Sequence, residues 1–106
     1  MTGPTRVSAA SVLVVDDEPA VRELLAQTFG LAGFEVITVA GGVAALNTVY
    51  SRAPDVVVLD MRLPDLDSRQ VVRILREDGH DVPVVLLPKP FDLENVVTRV
   101  RQILGS

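Results

Sequence analysis

The hydrophobic and polar positions of the chain form two kinds of segment, short apolar runs and longer amphipathic stretches. Residues 12–15 and 56–59 are entirely apolar and mostly β-branched, which indicates strands buried on both faces of a parallel sheet. Further strands are predicted at residues 35–39 and 82–87. Because stretches with apolar residues at helical spacing follow these strands, the pattern predicts strands that alternate with helices.

Four helices are predicted from this spacing and from residues that begin or end helices. Pro19 begins the first, the glycines at residues 41–42 precede the second, and Pro54 closes it. Ser68 and Asp92 are the expected N-caps of the third and fourth. Strands and helices in this order imply right-handed crossovers and a doubly wound parallel sheet of the α/β class.

Composition limits what the chain can do. Its 106 residues suffice for one compact domain, and its apolar runs are far shorter than the roughly 20 residues that cross a bilayer, so no membrane contact is expected. The absence of cysteine and the single His80 exclude thiolate chemistry and multi-histidine zinc sites. A net charge of -4 argues against direct binding of nucleic acid, which needs a basic face.

The first residues of the chain do not have the pattern of a secretory signal. Residues 1–11 are small and polar, with one arginine and no apolar stretch. They are expected to form a flexible N-terminal segment ahead of a domain over residues 12–106. The chain is therefore expected to act in the cytoplasm.

Three carboxylates stand at the ends of predicted strands. Asp16 and Asp17 follow the first strand, and Asp60 follows the third. In a parallel sheet with strand order 2-1-3-4 these ends are neighbours at the carboxyl edge, where such sheets bind ligands. Carboxylates this close repel one another unless a cation lies among them. An all-oxygen ligand set suits a hard ion that keeps part of its water, such as Mg²⁺.

Lys89 is the only lysine in the chain and follows the fourth predicted strand. Its ammonium group is expected at the same edge of the sheet, where it can pair with the carboxylates. A carboxylate nucleophile, a divalent ion and a lysine are the groups needed to transfer a phosphoryl group to aspartate.

Three motifs in this order resemble the receiver domains of two-component response regulators. They are Asp16-Asp17-Glu18 after the first strand, Asp60 with Leu63-Pro64 and Asp67 behind it, and Lys89-Pro90-Phe91 before the last helix. The resemblance covers residues 12–104 and implies a flavodoxin-like fold. It also implies that Asp60 is the phosphoacceptor, that Asp16, Asp17, Asp60 and the backbone carbonyl of Arg62 hold Mg²⁺, and that Lys89 contacts the phosphoryl group through a cis Lys89-Pro90 turn.

The resemblance further implies a signalling role and the partners that go with it. A sensor histidine kinase would donate the phosphoryl group, and an effector domain, fused or separate, would respond, with a homodimer as another outcome. Residues 91–101 are similar to receivers fused to winged-helix DNA-binding domains, so regulation of transcription is an expected output. The domain would be a switch with limited self-catalysis rather than an enzyme.

The chain departs from the receiver pattern between Leu87 and Lys89. In the family, the fourth strand ends in Thr or Ser, and a fourth helix and a fifth strand with an aromatic residue follow. Here only Pro88 lies between, so roughly 20 residues have no counterpart. Two explanations are open: this sequence omits a mobile segment, or the protein has a true deletion. The first is favoured, because a deletion would expose a strand edge and leave part of the core uncovered.

Two other functions are open at this point. A phosphatase of the haloacid-dehalogenase type also uses acidic residues, Mg²⁺ and a lysine, although such enzymes space their acids as Asp-x-Asp and carry the nucleophile on the first strand. A degenerate receiver that binds partners without phosphorylation is favoured if the deletion is real. Turnover of a phosphate ester would single out the phosphatase.

Overall fold

The computed structural model describes residues 9–105. Four strands alternate with four helices: β1 (Ser11–Val15), α1 (Pro19–Leu31), β2 (Glu35–Val39), α2 (Gly42–Arg52), β3 (Val56–Asp60), α3 (Ser68–Glu77), β4 (Val84–Leu87) and α4 (Leu93–Ile103). The strands form one parallel sheet in the order β2-β1-β3-β4. The predicted fold class and strand order are confirmed.

Two strands begin at residues other than those predicted. β1 begins at Ser11, which pairs with Glu35 of β2, so residue 11 lies within the sheet. β4 begins at Val84 rather than at residue 82, because Pro83 has no N–H to donate to the ladder. Residues 1–8 of the predicted flexible segment lie outside the described residues.

Two apolar cores lie on the two faces of the sheet. On one face, α1 and α4 pack against alternate residues of β1, β3 and β4, and on the other face α2 and α3 pack against the remaining residues. Residues 12–15 and 56–59 are each at most 1% exposed, which confirms that both runs are buried on both faces. Burying each such side chain stabilises the fold by roughly 1.5–3 kcal/mol. No helix within residues 9–105 is long and apolar enough to cross a membrane.

The prediction that Ser68 caps α3 is wrong. Asp67 is the N-cap, because its side chain accepts a hydrogen bond from the backbone N–H of Arg69, at 2.8 Å, while the Gln70 side chain accepts one from the Asp67 N–H. Ser68 is the first helical residue, and its hydroxyl donates to the backbone carbonyl of Met61 at 2.6 Å. The two residues together hold the loop after β3 against the start of α3.

The chain is continuous after β4, which corrects a second expectation. Leu87 is followed directly by Pro88 and a cis Lys89-Pro90 bond, and Asp92 caps α4 as predicted. The favoured explanation of a further segment between Leu87 and Lys89 is therefore wrong, and β4 is an edge strand. The core on that face is nevertheless covered, because α4 buries three valines against it.

Candidate acidic site at the carboxyl edge of the sheet

Asp16, Asp17 and Asp60 meet where β1 and β3 end. The parallel register sets Val15 beside Leu59, so the residues that follow these two lie side by side. One carboxylate oxygen from each aspartate lies within 4.8 Å of the other two. Asp16 and Asp60 are buried and Asp17 is exposed, so the cluster opens to solvent on one side. The structure therefore brings the three predicted carboxylates together.

Lys89 reaches this cluster from the turn between β4 and α4. Its Nζ lies 3.1 Å from Asp16 Oδ1 and 3.2 Å from Asp60 Oδ2, and it also donates to the carboxylate of Glu18. Partial burial disfavours the charged ammonium, but the hydrogen bonds to Glu18, Asp16 and Asp60 outweigh this effect and raise the pKa of Lys89. The lysine therefore stays protonated at neutral pH and offsets part of the acidic charge.

Backbone hydrogen bonds orient the two buried carboxylates. Asp16 Oδ1 accepts from the backbone N–H of Glu18 at 2.9 Å, and the Asp16 carbonyl accepts from the Arg22 guanidinium at 2.8 Å. Asp60 Oδ1 accepts from the backbone N–H of Arg62 at 3.1 Å. The bonds from Glu18 and Arg62 tie each carboxylate to the loop that follows its own strand, and the Arg22 bond joins the backbone at the end of β1 to α1.

One oxygen of this cluster indicates a place for a cation. Asp16 Oδ2 is buried and has no hydrogen-bond partner within residues 9–105. A buried carboxylate oxygen without a partner is costly, so a further positive or donor group is expected there. The ligands on offer are carboxylate oxygens, and exposed Asp17 leaves room for water, which is the environment that a hard divalent cation prefers. The residues present therefore fit a hard metal ion.

An open cleft of about 650 Å³ extends from the cluster towards β4. Its lining comprises Asp17, Glu18, Asp60, Met61, Arg62, Pro88 and Lys89. Arg62, the predicted backbone ligand, thus borders the same space as the carboxylates. From residue 81 to residue 91 the sequence contains no Ser, Thr, Tyr or Trp, so the hydroxyl expected at the end of the fourth strand has no counterpart beside this cleft.

Sequence reasoning missed the contact between the loop after Asp60 and the start of α2. Asp65 accepts hydrogen bonds from the backbone N–H groups of Gly42, at 2.8 Å, and Val43, at 3.0 Å. Both bonds lower the pKa of Asp65, and the bond from Val43 has the larger effect. A Cβ atom at Gly42 would lie 2.8 Å from Leu66 Cβ, so the approach requires glycine. The paired glycines at residues 41–42 were the signal that could have revealed it.

The sequence matches the response regulator receiver domain family over residues 12–100. The chain belongs to this family. The order of the strands and the positions of the three aspartates and the lysine agree with that assignment.

Relatives of the receiver domain are response regulators about twice its length. Response regulator MprA of Mycobacterium sp. (strain KMS) is 37% identical over 114 positions, which cover 88% of this chain and 50% of the relative. MprA of Mycobacterium avium (strain 104) has the same identity and coverage. The chain thus spans about half the length of the curated relatives it matches. Because only 88% of 106 residues is aligned over 114 positions, about 20 positions of the relatives lack a counterpart, which agrees in size with the deletion.

Solved structures share the fold. The receiver domain of the Francisella response regulator 1452 has a TM-score of 0.86 at 24% identity, over 91% of this chain and 97% of that one. A response regulator receiver protein from Sinorhizobium medicae has a TM-score of 0.77 at 30% identity, over 92% and 96% of the two chains. The flavodoxin-like receiver fold is therefore retained despite the deletion.

Proposed function

We propose that this receiver domain accepts a phosphoryl group on Asp60 from the phosphohistidine of a sensor histidine kinase. The observation that carries the proposal is the convergence of Asp60 with Asp16, Asp17 and Lys89 at one edge of the sheet. No other group of three residues with metal-ligating side chains lies close enough to share an ion within residues 9–105. A carboxylate that can act as a nucleophile, a set of oxygen ligands for a cation and an ammonium group therefore lie together, which supports the proposal.

The proposed transfer is a displacement at phosphorus. A carboxylate oxygen of Asp60 attacks the phosphorus atom, a P–O bond to the aspartate forms, and the P–N bond to the kinase histidine breaks. The released imidazole nitrogen takes up a proton. Lys89, already 3.2 Å from Asp60 Oδ2, donates to a phosphoryl oxygen and offsets the charge that builds there.

Asp16, Asp17, Asp60 and the backbone carbonyl of Arg62 are the groups that would hold Mg²⁺. The unpartnered Oδ2 of Asp16 supports this assignment. Bound there, Mg²⁺ supplies positive charge to the phosphoryl oxygens during transfer. Exposed Asp17 leaves the opening through which a phosphodonor reaches Asp60.

An effector domain, fused or separate, would respond to the phosphorylated receiver, and we propose that its output is regulation of transcription in the cytoplasm. The length of the MprA relatives supports a fused effector domain, since the receiver domain matches half of each. The similarity of residues 91–101 to receivers fused to winged-helix DNA-binding domains supports transcription as its output. The position of Asp60 on β3 rather than β1, together with the family assignment, favours a phosphoacceptor over a phosphatase of the haloacid-dehalogenase type.

Labelling with acetyl phosphate in the presence of Mg²⁺ tests the assignment of Asp60. The intact mass should increase by one phosphoryl group, and hydroxylamine should remove it because the adduct is an acyl phosphate. Asp60→Asn should form no adduct. Asp81→Asn, which alters an exposed carboxylate before β4 and so at the opposite end of the sheet, is the matched control and should label like the parent. An Asp60→Asn variant that labels equally well would refute the proposal.

A second candidate is partner binding without phosphorylation. The observation that favours it is the direct connection from Leu87 through Pro88 to Lys89, which leaves the receiver without the hydroxyl and aromatic residues that the family has between its fourth strand and the lysine. Under this alternative, no adduct forms even with Mg²⁺ present, and a partner binds the parent and Asp60→Asn with equal affinity. The mass measurement thus separates the two candidates.

A further inference from the structure

The sheet has two edges, and only one of them carries exposed polar side chains along its strand. β2, at one edge, exposes Glu35 and Thr38. β4, at the other edge, has the sequence Val-Val-Leu-Leu, and residues 82–88 include no charged side chain. Charged side chains on an edge strand oppose pairing with another chain. The β4 edge lacks the protection that β2 has.

The backbone of β4 directs four hydrogen-bonding groups away from the sheet. The carbonyls of Pro83 and Leu87 accept bonds from the β3 side, so odd-numbered residues of this stretch point towards β3. Backbone groups alternate in direction along a strand, so the N–H and C=O groups of Val84 and Leu86 point outward. No strand within residues 9–105 pairs with this edge. Exposed backbone groups of this kind are a template for a further strand.

We propose that two copies of this chain associate by pairing their β4 strands in antiparallel orientation. A register that sets Val84 of one copy opposite Leu86 of the other places the two Val85 residues on the twofold axis. Each Val84 and Leu86 pair then exchanges two N–H···O bonds, so the four outward groups of both copies are all satisfied. The result is a closed, symmetric dimer with one continuous sheet of eight strands.

The chain itself limits this pairing to the four residues of β4. Pro88 follows the strand and has no N–H to donate outward, and in this register it lies opposite residue 82 of the other copy, so the pairing ends with β4 in both directions. Val84 and Leu86 are half-buried against the core formed by α2 and α3, and pairing would cover the rest of their surface. Four-residue strand pairing falls in the small class of interfaces, below about 1,200 Å² in total, so the dimer should be weak and concentration-dependent.

Sedimentation velocity of the full chain, from micromolar to millimolar concentration, tests the proposal. The mass should rise from that of the monomer towards that of the dimer. Leu86→Pro removes an outward N–H and should weaken association about tenfold or more. The matched control is Thr38→Pro in β2, whose N–H also points away from the sheet because the flanking residue 39 bonds towards β1. That variant should associate like the parent.

Hydrogen exchange of the parent chain keeps the test decisive if Leu86→Pro fails to fold. The amide protons of Val84 and Leu86 should exchange more slowly as concentration rises, whereas those of Val36 and Thr38 in β2 should not change. A chain that stays monomeric at every concentration overturns the proposal. This holds also if the β4 edge of the monomer binds an extended segment of another protein. A dimer whose Val84 and Leu86 amides stay unprotected overturns it as well.

Discussion

The carboxyl edge of the sheet has two unlike halves. Where β1 and β3 end, three aspartates lie close together and Lys89 contacts the two buried ones, with a buried carboxylate oxygen free to bind a cation. Beside them, β4 ends in apolar Leu87 and Pro88, with no hydroxyl side chain in residues 81–91. The difference shows that the acidic cluster does not depend on the segment that other receivers have between the fourth strand and the lysine.

Lys89 shows why the acidic cluster keeps its arrangement next to the deletion. It follows the deletion directly, yet its Nζ still reaches Asp16 and Asp60. α4 packs against α1 and buries Val96, Val97 and Val100 in the core shared with β1 and β3, so the turn before α4 is anchored by apolar packing. The position of the lysine therefore depends on the docking of α4, not on a fourth crossover.

Removing the ammonium group of Lys89 should have the largest effect on labelling by a phosphodonor. Lys89→Ala should slow labelling by acetyl phosphate about 100-fold, because the variant lacks the ammonium that offsets charge on the phosphoryl group. The far-UV circular dichroism should stay that of the parent, since α4 is anchored by its valines. Labelling at the parent rate would assign this role to another group.

The pH dependence of stability provides a check on the same residue. Partial burial disfavours the charged form of Lys89, but its hydrogen bonds to Glu18, Asp16 and Asp60 outweigh this effect and raise its pKa in the folded state. The folded form therefore holds this proton more tightly than the unfolded chain does. Its stabilising contribution is fully present below the ordinary lysine pKa of about 10.4 and is lost as pH rises through the higher folded value. Thermal unfolding of the parent should show this loss in alkaline solution, and Lys89→Ala should not.

The contact between the loop after Asp60 and the start of α2 should be the next most sensitive feature. Gly42→Ala should lower the free energy of unfolding by about 1–3 kcal/mol, because its Cβ would lie 2.8 Å from Leu66 Cβ and 3.1 Å from Val71 Cγ2. Gly30→Ala in α1, where a Cβ meets nothing within 4 Å, should raise that free energy by about 0.5–1 kcal/mol. Urea denaturation measures both free energies of unfolding. A Gly42→Ala variant as stable as the parent would show that the loop moves to accept the added Cβ.

A smaller effect is expected at the exposed member of the acidic cluster. Asp17→Asn should weaken Mg²⁺ binding about tenfold while leaving the metal-free domain at least as stable, because one carboxylate is removed from a crowded group. Glu18→Gln is the matched control, since Glu18 contacts Lys89 and is not a member of the three-carboxylate cluster. Titration with Mg²⁺ should separate the two variants, and unchanged affinity in Asp17→Asn would refute its role as a ligand.

The sequence predicted the acidic cluster well, because apolar runs mark directly where strands end. Asp16 and Asp60 each terminate such a run, and parallel register then brings them together. The choice between Ser68 and Asp67 as N-cap was not readable, because both residue types cap helices. It depends on the hydroxyl of Ser68 finding the carbonyl of Met61, a contact that exists only in the folded chain.

The expectation of a further segment between Leu87 and Lys89 was wrong for a physical reason. A missing crossover was expected to leave the core uncovered, which favoured a further segment between Leu87 and Lys89. That expectation assumed that the last helix could not cover the face on its own. In the structure α4 does so, and only the outer edge of β4 is left without a partner strand within the described residues.

The central claim is that this receiver domain accepts a phosphoryl group and presents the resulting change to its effector at the acidic cluster and the loops around it, not along β4 and α4. Amide chemical shifts of the ¹⁵N-labelled chain, with Mg²⁺ and with or without fluoroberyllate as a phosphoryl mimic, test it most directly. We predict changes at Asp16, Asp17, Lys89 and residues 60–67, and none in β4 or in α4 beyond its first turn. Shifts of similar size along β4 and the length of α4 would contradict the account.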